Sequence, residues 1–440
     1  MVSNFITTEY GPIPTDWDIK EIKNIADDTK DNSFIDGDWI ESEYIEHEGI
    51  RLIQTGNIGL GFFKDKSSKK FISEKTFKEL KCKEVKEGDI LICRLADPIG
   101  RSCVVPNLGT KNITSVDVAI LRPQNSDYDI FYINYSLNSP KTLNKVSSFA
   151  SGTTRQRISR KNLGAIRIPV PPIKEQQKIA AILSSVDETI EKTEQIIEQT
   201  ETVKKGLMQQ LLTKGIGHTE FKDTPIGEIP LHWNFVKLED ISEKITKGTT
   251  PTTYGFEYVE DGINFIKVES IDDNGNFRPS LFNKITEEAH EKLKRSNILE
   301  GDLLISIAGN LGRVAIASSE ILPANTNQAI SIIRLKEKSI NLDFLYYSLK
   351  GFAIEKYIKK VSTVGAQPNL SLKQVGEIEL PLPNIEEQNK ITAVLNSIDL
   401  KLKNEISKKR KLSKLKQGLM QQLLTGKVRV KINENEEVPS

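Results

Sequence analysis

The chain has 440 residues, with 61 Lys and Arg against 60 Asp and Glu, 38% hydrophobic residues and three cysteines. That length allows two or three domains with their own cores. A net charge of +1 excludes a uniformly basic nucleic-acid coat but leaves room for local patches. No run approaches the roughly 20 apolar residues of a bilayer span, and the N-terminus lacks the basic-then-apolar pattern of a secretory signal. Cys82, Cys93 and Cys103 lack CxxC spacing, which argues against a disulfide framework or a zinc site. The expectation is a reduced, cytoplasmic, metal-free protein without membrane contact.

In chain order, GPIPTDW (Gly11 to Trp17) opens a first globular part. Its short β-branched runs DILIC and VAILR alternate with turn signals and with a helical stretch, FYINYSLNS. Regular strand and helix alternation is missing, so an α+β module with a mainly antiparallel sheet is expected over a doubly wound parallel one. GTTRQRIS (Gly152 to Ser159) and the Pro-rich stop PVPPI lead into a segment, Ile173 to Thr213, with helical periodicity. The order then repeats. GEIPLHW (Gly227 to Trp233) matches the first entry, GDLLI (Gly301 to Ile305) matches GDILI (Gly88 to Ile92), and GAQPNLS (Gly365 to Ser371) precedes a second stop, PLPNI. A second helical segment, Ile385 to Thr425, follows.

The two helical segments align without gaps, with 18 of 41 positions identical and the octapeptide GLMQQLLT shared intact. This is a duplication of half the chain, too long in period for a solenoid. The expected domains are 1–172, the first globular part; 173–214, a helix; 215–384, the second globular part; 385–426, a second helix; and 427–440, a flexible tail. Asn384, with Glu387 three residues on, suggests a capping-box variant at the second helix start.

A heptad frame from Ile179 puts Ile179, Ile182, Val186, Thr189, Thr193, Ile196, Thr200, Val203, Leu207 and Gln210 on one stripe, six of ten apolar. The second copy supplies Ile391, Val394, Leu395, Ile398, Leu402, Leu412, Leu415, Leu419 and Leu423. Each helix is about 60 Å long if fully helical, and neither can bury its stripe alone, so they are expected to pack together. Ile173 to Leu212 carries 5 basic and 7 acidic residues, Ile385 to Leu424 carries 9 and 4. The run from Lys408 to Lys416 is read as a solvated face or as a partner for the acidic helix, with phosphate contact as the alternative.

No GxxxxGK[ST] loop, HExxH, GxSxG elbow, GxGxxG loop or [DN]PPY motif occurs, and the four histidines stand outside any motif. No catalytic residue and no metal ligand is expected, so any chemistry belongs to a partner. What remains is binding. Thr154, Arg155, Gln156 and Arg157 in the first half, and Gln367 and Asn369 in the second, carry the side chain types that make bidentate contacts to base edges; they serve equally as turns that settle the sheet. Gln54, Thr55 and Asn57 follow the apolar IRLI, and Lys267 and Ser270 follow INFI. Lys64 and Lys66 lie beside Phe62 and Phe63, where a basic cluster suits backbone contact or a solvated loop.

A GPIPxDW-like entry, a globular module, a Pro-rich stop and an EQxxIAxxLxxxD helix ending in GLMQQLLT, all present twice, resemble the specificity subunit of a type I restriction-modification system, from about Glu9 to Thr425. The resemblance implies an α+β fold with two target recognition domains, separated by two long helices in an antiparallel coiled coil. Each domain would read one half of a split asymmetric site in double-stranded DNA. It also implies two modification subunits carrying S-adenosylmethionine and methylating adenine N6, and restriction/translocase subunits using ATP and Mg, with no cofactor on this chain. GTTPTTY, with Thr249, Thr250 and Tyr254, resembles the GGTP segment of such domains; the first half has DGDWI (Asp36 to Ile40) instead. Gln209, Gln210, Gln421 and Gln422 in the repeated octapeptide are candidates for partner docking, beside the alternative that the octapeptide is coil core. The competing reading of the whole is a coiled-coil scaffold whose globular modules bind protein.

Overall fold

The computed structural model describes the chain except residues 1–4, 30, 96, 125, 153–154, 337–339, 355–356, 358–368 and 433–440. It forms two compact units, the first from residues 1–194 and 407–440, the second from 195–406. The division falls within both long helices, Ile173–Lys214 (the central helix) and Ile385–Leu423 (the distal helix).

In the first unit, Val- and Ile-rich strands make an antiparallel four-stranded sheet in the order Phe34–Asp36, Val118–Leu121, Ile90–Cys93, Ser102–Val104. A three-stranded sheet beside it, Lys70–Ile72, Ile50–Ile53, Asn112–Thr114, holds a parallel pair with Leu52 opposite Ile113. Asp18–Glu21 pairs antiparallel with Arg167–Val170, which returns the chain beside its own start. The second unit repeats this plan, with one more strand in the sheet that holds the parallel pair. Its sheets run Ser242–Lys247, Ile330–Leu335, Leu303–Ser306, Val314–Ile316 and Asn283–Ile285, Ile263–Ile266, Ala324–Thr326, Asn297–Ile298, again with one parallel pair, Phe265 opposite Asn325.

Each unit is closed by the start of one long helix and the end of the other. Pro171 and Pro172, and likewise Pro383, cannot continue a helix from upstream, so both helices begin just after them. Gln176 fixes the first start: its Nε2 donates to the Pro171 carbonyl at 2.8 Å and its Oε1 accepts the Asp129 N–H at 3.0 Å. Gln388 makes the same two bonds to Pro383 (2.8 Å) and Asn341 (2.9 Å). Asn384 Oδ1 accepts the Glu387 N–H at 2.9 Å as expected of a cap. The Glu387 carboxylate, however, turns to Trp233 Nε1 (2.9 Å), His218 Nε2 (2.8 Å) and the Ile216 N–H (3.0 Å). In the first unit, Glu175 does the matching work, accepting from Trp17 Nε1 at 3.1 Å and from the Arg429 guanidinium.

The helices are antiparallel within each unit. In the first, Asp187 meets Lys416 at 2.6 Å and Glu194 meets Lys409 at 2.8 Å, so a seven-residue advance on one helix is a seven-residue retreat on the other. In the second, Lys204 pairs with Asp399. Ile179, Leu183, Leu423 and Leu424 are buried in the first unit's core, and Leu211, Leu212, Ile391 and Leu395 in the second's. The heptad stripe is narrower than its pattern: Val203, Val394 and Leu415 are exposed. The expected flexible tail starts anchored, with Arg429 bridging Glu175 and Asp16 and Val430 packed on the core; residues 433–440 of that tail lie outside the described residues.

Candidate nucleic-acid interface

The strand Ile50–Ile53 is buried along its length and ends in a tight turn, Thr55–Asn57. Asn57 Oδ1 accepts the Gln54 N–H at 3.0 Å and its Nδ2 donates to the Lys64 carbonyl at 2.9 Å. That amide is therefore 7% exposed and engaged in holding the turn to the next hairpin, while Gln54 and Thr55 stay partly exposed. Arg101 clamps the same turn, Nε donating to the Ile58 carbonyl at 2.9 Å and Nη2 to that of Thr55 at 3.0 Å.

The second unit repeats the device with other side chains. Ile263–Ile266 leads into Val268–Ser270. Ser270, fully buried, accepts the Lys267 N–H and donates to the Leu281 carbonyl, both at 3.2 Å. Arg313 donates to the carbonyls of Val268 (3.1 Å) and Ile271 (2.8 Å). Lys267 is partly exposed, its ammonium 4.5 Å from the Tyr258 ring centre. Sequence reasoning missed both arginines, although the repeated Gly-Arg of IGRSCVV and LGRVAIA was a signal for them.

A second loop reaches the same end of the parallel pair. Gly37 donates its N–H to the Val118 carbonyl at 2.9 Å and Asp38 to that of Thr114 at 2.8 Å; Gly248 and Thr249 donate to Ile330 and Thr326 at 3.4 and 3.1 Å. A Cβ on Gly37 would press into the carbonyl oxygens of Thr114 and Ser115, and one on Gly248 into those of Thr326 and Asn327. DGDWI and KGTTP are thus one structural element, an equivalence that the residue letters concealed. Thr249 accepts from Arg295 Nη2 at 3.2 Å, Thr250 bonds Gln328, and Tyr254 is exposed.

The third loop adjoins these. Arg157 pairs with Asp117 at 3.0 Å and exchanges backbone bonds with Ser151 at 2.9 Å, while Ile158 N–H donates to Arg94, whose own N–H donates to Asp117. Leu370 bonds Ile307 and Ile307 bonds Ala329 in the same pattern. Arg155, Gln156 and Asn369 are exposed, as are Lys64 and Lys66; Thr154 and Gln367 lie outside the described residues. Asp65 sits amid the lysines, where the Arg51 guanidinium at 2.5 Å and then Lys69 at 3.2 Å hold its carboxyl below the usual range. Backbone bonds therefore gather Gln54, Thr55, the 37–39 loop and Arg155 to Arg157 at one end of the first module, with the basic hairpin following. Gln209, Gln210, Gln421 and Gln422 are exposed on the helix ends. Among the described residues no group of three His, Cys, Asp or Glu is placed to hold a metal, and no helix is long and apolar enough to cross a membrane.

A duplicated α+β module with divergent loops on a constant frame defines a recognition protein. Residues 14–202 and 230–417 each match the type I restriction modification DNA specificity domain, and the chain belongs to that family, as a non-catalytic DNA-recognition subunit. It is 31% identical over 352 residues to the type I restriction enzyme MjaVIII specificity subunit of Methanocaldococcus jannaschii, covering 79% of this chain and 80% of that one. To the putative MjaX specificity subunit of the same organism it is 28% identical over 439 residues, 97% of each. In fold it is similar to the crystal structure of the type I restriction-modification S subunit from M. genitalium, with a TM-score of 0.57 at 18% identity over 92% of this chain and 96% of that one.

Proposed function

We propose that the two modules read the two halves of an asymmetric, split DNA site, and that the chain directs adenine N6 methylation, and restriction, by partner subunits. The supporting observation is the pairing of a constant frame with unlike exposed groups. Arg101 and Arg313 hold the same turn, yet that turn presents Gln54 and Thr55 in one module, whereas in the other it presents Lys267 and turns Val268 into the core. Readers of one repeated sequence would have no need to differ there. In this reading two modification subunits bring S-adenosylmethionine, and restriction/translocase subunits bring ATP and Mg. The exposed Gln209, Gln210, Gln421 and Gln422 serve as matching docking points, since a two-fold repeat suits two identical partners. The complex would work in the cytoplasm, on double-stranded DNA.

The test is exchange of residues Gly11 to Pro169 for the first module of another family member, followed by methylation mapping of the host genome. One half of the methylated site should change while the other stays. A change in both halves, or in neither, would overturn the reading.

A further inference from the structure

We infer that Trp39 is a DNA-contacting residue of the first module, an apolar anchor that packs on the bases and sets specificity there; this rests on the reading of the modules as DNA readers. Of the three tryptophans, Trp17 and Trp233 are 3% and 2% exposed, donating to Glu175 and Glu387, whereas Trp39 is 70% exposed. An indole left in water on a loose loop would need no explanation, since single exposed apolar residues are ordinary. This one is on a fixed backbone. Gly37 is wedged against two carbonyls, and Asp38 is 7% exposed, donating to Thr114 and accepting the Lys83 N–H at 2.8 Å and its ammonium at 2.7 Å. On the other side Ile40 packs on the cluster of Ile50, Leu52, Ile72 and Ile113. With both neighbours anchored inward, the ring is held outward, and binding it costs little ordering entropy.

Position identifies the occupant. The loop lies at the end of the parallel pair where Ser115 bonds Ile53 and Gln54 begins the next turn, on the face that carries Arg155 and Gln156. Lys64 and Lys66 are exposed on the hairpin that follows that turn, with Lys66 beside Gly56, and positive charge at the turn suits a polyanion. The matched loop of the second module has the same glycine and the same backbone bonds but places Thr250 where the first has Trp39. A ring needed for folding would be matched in the second frame; a ring that reads sequence would not. Rigid tryptophans dominate contact energetics out of proportion to their number, and base faces and thymine methyls are apolar surfaces that such a ring can cover.

The experiment uses the full-length chain with two duplexes, one carrying the site mapped by host methylation and one scrambled. Acrylamide quenching of tryptophan emission is measured with each, and the dissociation constants are compared for the wild type, W39F and W39A, with circular dichroism and thermal unfolding to show that each variant folds. Because Trp17 and Trp233 are buried, the quenchable emission belongs to Trp39. The expected result is that the site duplex protects Trp39 more than the scrambled one does. W39A should weaken the site duplex by about tenfold or more and the scrambled one by less than about twofold, with W39F between. Site binding with Trp39 still open to quencher, or W39A binding within twofold of wild type, overturns the inference and leaves the proposed function standing. A wild-type chain that binds neither duplex overturns both.

Discussion

Burial pushes the thiols of Cys82 and Cys103 up to about 11 and about 12, and raises Cys93, whose Sγ donates to the Leu95 carbonyl at 2.8 Å. A raised folded value means that the native chain holds these protons more tightly than the unfolded one. Their contribution to stability is present below the ordinary thiol value and is lost as pH rises through about 11 and 12. At pH 8 iodoacetamide should leave all three unmodified in the native chain and modify all three in denaturant, as mass spectrometry would report; rapid native labelling of Cys103 would contradict this burial. Arg101 and Arg313 act at the same scale. Replacing Arg101 with Ala removes donors from three carbonyls, those of Ile58, Thr55 and Pro98, and should cost about 1–3 kcal/mol, concentrated locally. Amide exchange over Thr55 to Lys64 should accelerate more than over Ile90 to Cys93. Lysine should restore little, since one ammonium lacks the guanidinium's fixed fork.

Among the elements, the long helices were the most legible, because 3.6-residue periodicity and Pro-rich stops act over short distances. What the stripe could not convey was which copy each stretch packs against. Thr193 and Thr200, polar at heptad core positions, are buried all the same, because each hydroxyl donates to its own helix, to Thr189 at 2.7 Å and Ile196 at 2.6 Å. The acid of EQxxIAxxLxxxD also has a physical task. Asp187 accepts the Tyr135 hydroxyl at 2.8 Å beside Lys416, and Asp399 accepts that of Tyr347 at 2.6 Å beside Lys204. Asp399→Ala should destabilise the second unit by about 1–2 kcal/mol in urea, since it takes one acceptor from the buried Tyr347 hydroxyl, which keeps Asn396 Oδ1 at 2.7 Å, and the partner from the Lys204 ammonium. Glu194→Ala should cost less than about 0.5 kcal/mol, because its bridge to Lys409 is 42–45% exposed. Equal losses would mean that the helix seam, rather than the tyrosine contact, carries the energy. The candidate site was less legible than the helices. Strand-end position singled out all four, and Gln54 and Lys267 stay partly exposed, but Asn57 and Ser270 are consumed by the turn, a fate decided by hydrogen bonds across seven and eleven residues.

For the whole molecule, phosphate contact predicts a steep, linear loss of log affinity for random duplex with log salt, with each phosphate contributing about 0.9 to the slope. A protein-binding scaffold would show no such slope, and filter binding between 50 and 200 mM salt would separate them. The duplication itself was plain in the letters, since GLMQQLLT occurs twice. That the first copy completes the module after it and the second copy the module at the other end of the duplication was not, because identical octapeptides carry no label of destination.

The anchoring of Arg429 to Glu175, 254 residues earlier, has a consequence for how the protein is made. Leu423, Leu424 and Arg429 are synthesised after residues 195–406, yet they finish the unit whose strands lie before that stretch. The earlier-made of the two modules is therefore the later to mature, and throughout translation of residues 195–406 it presents an open apolar seat beside Ile179 and Leu183. A chain halted at residue 406 should have its first module cleaved by a low dose of protease that the finished protein resists, while residues 195–406 persist. A nonsense change shortly after the codon for residue 406 would then injure a module encoded far upstream of it.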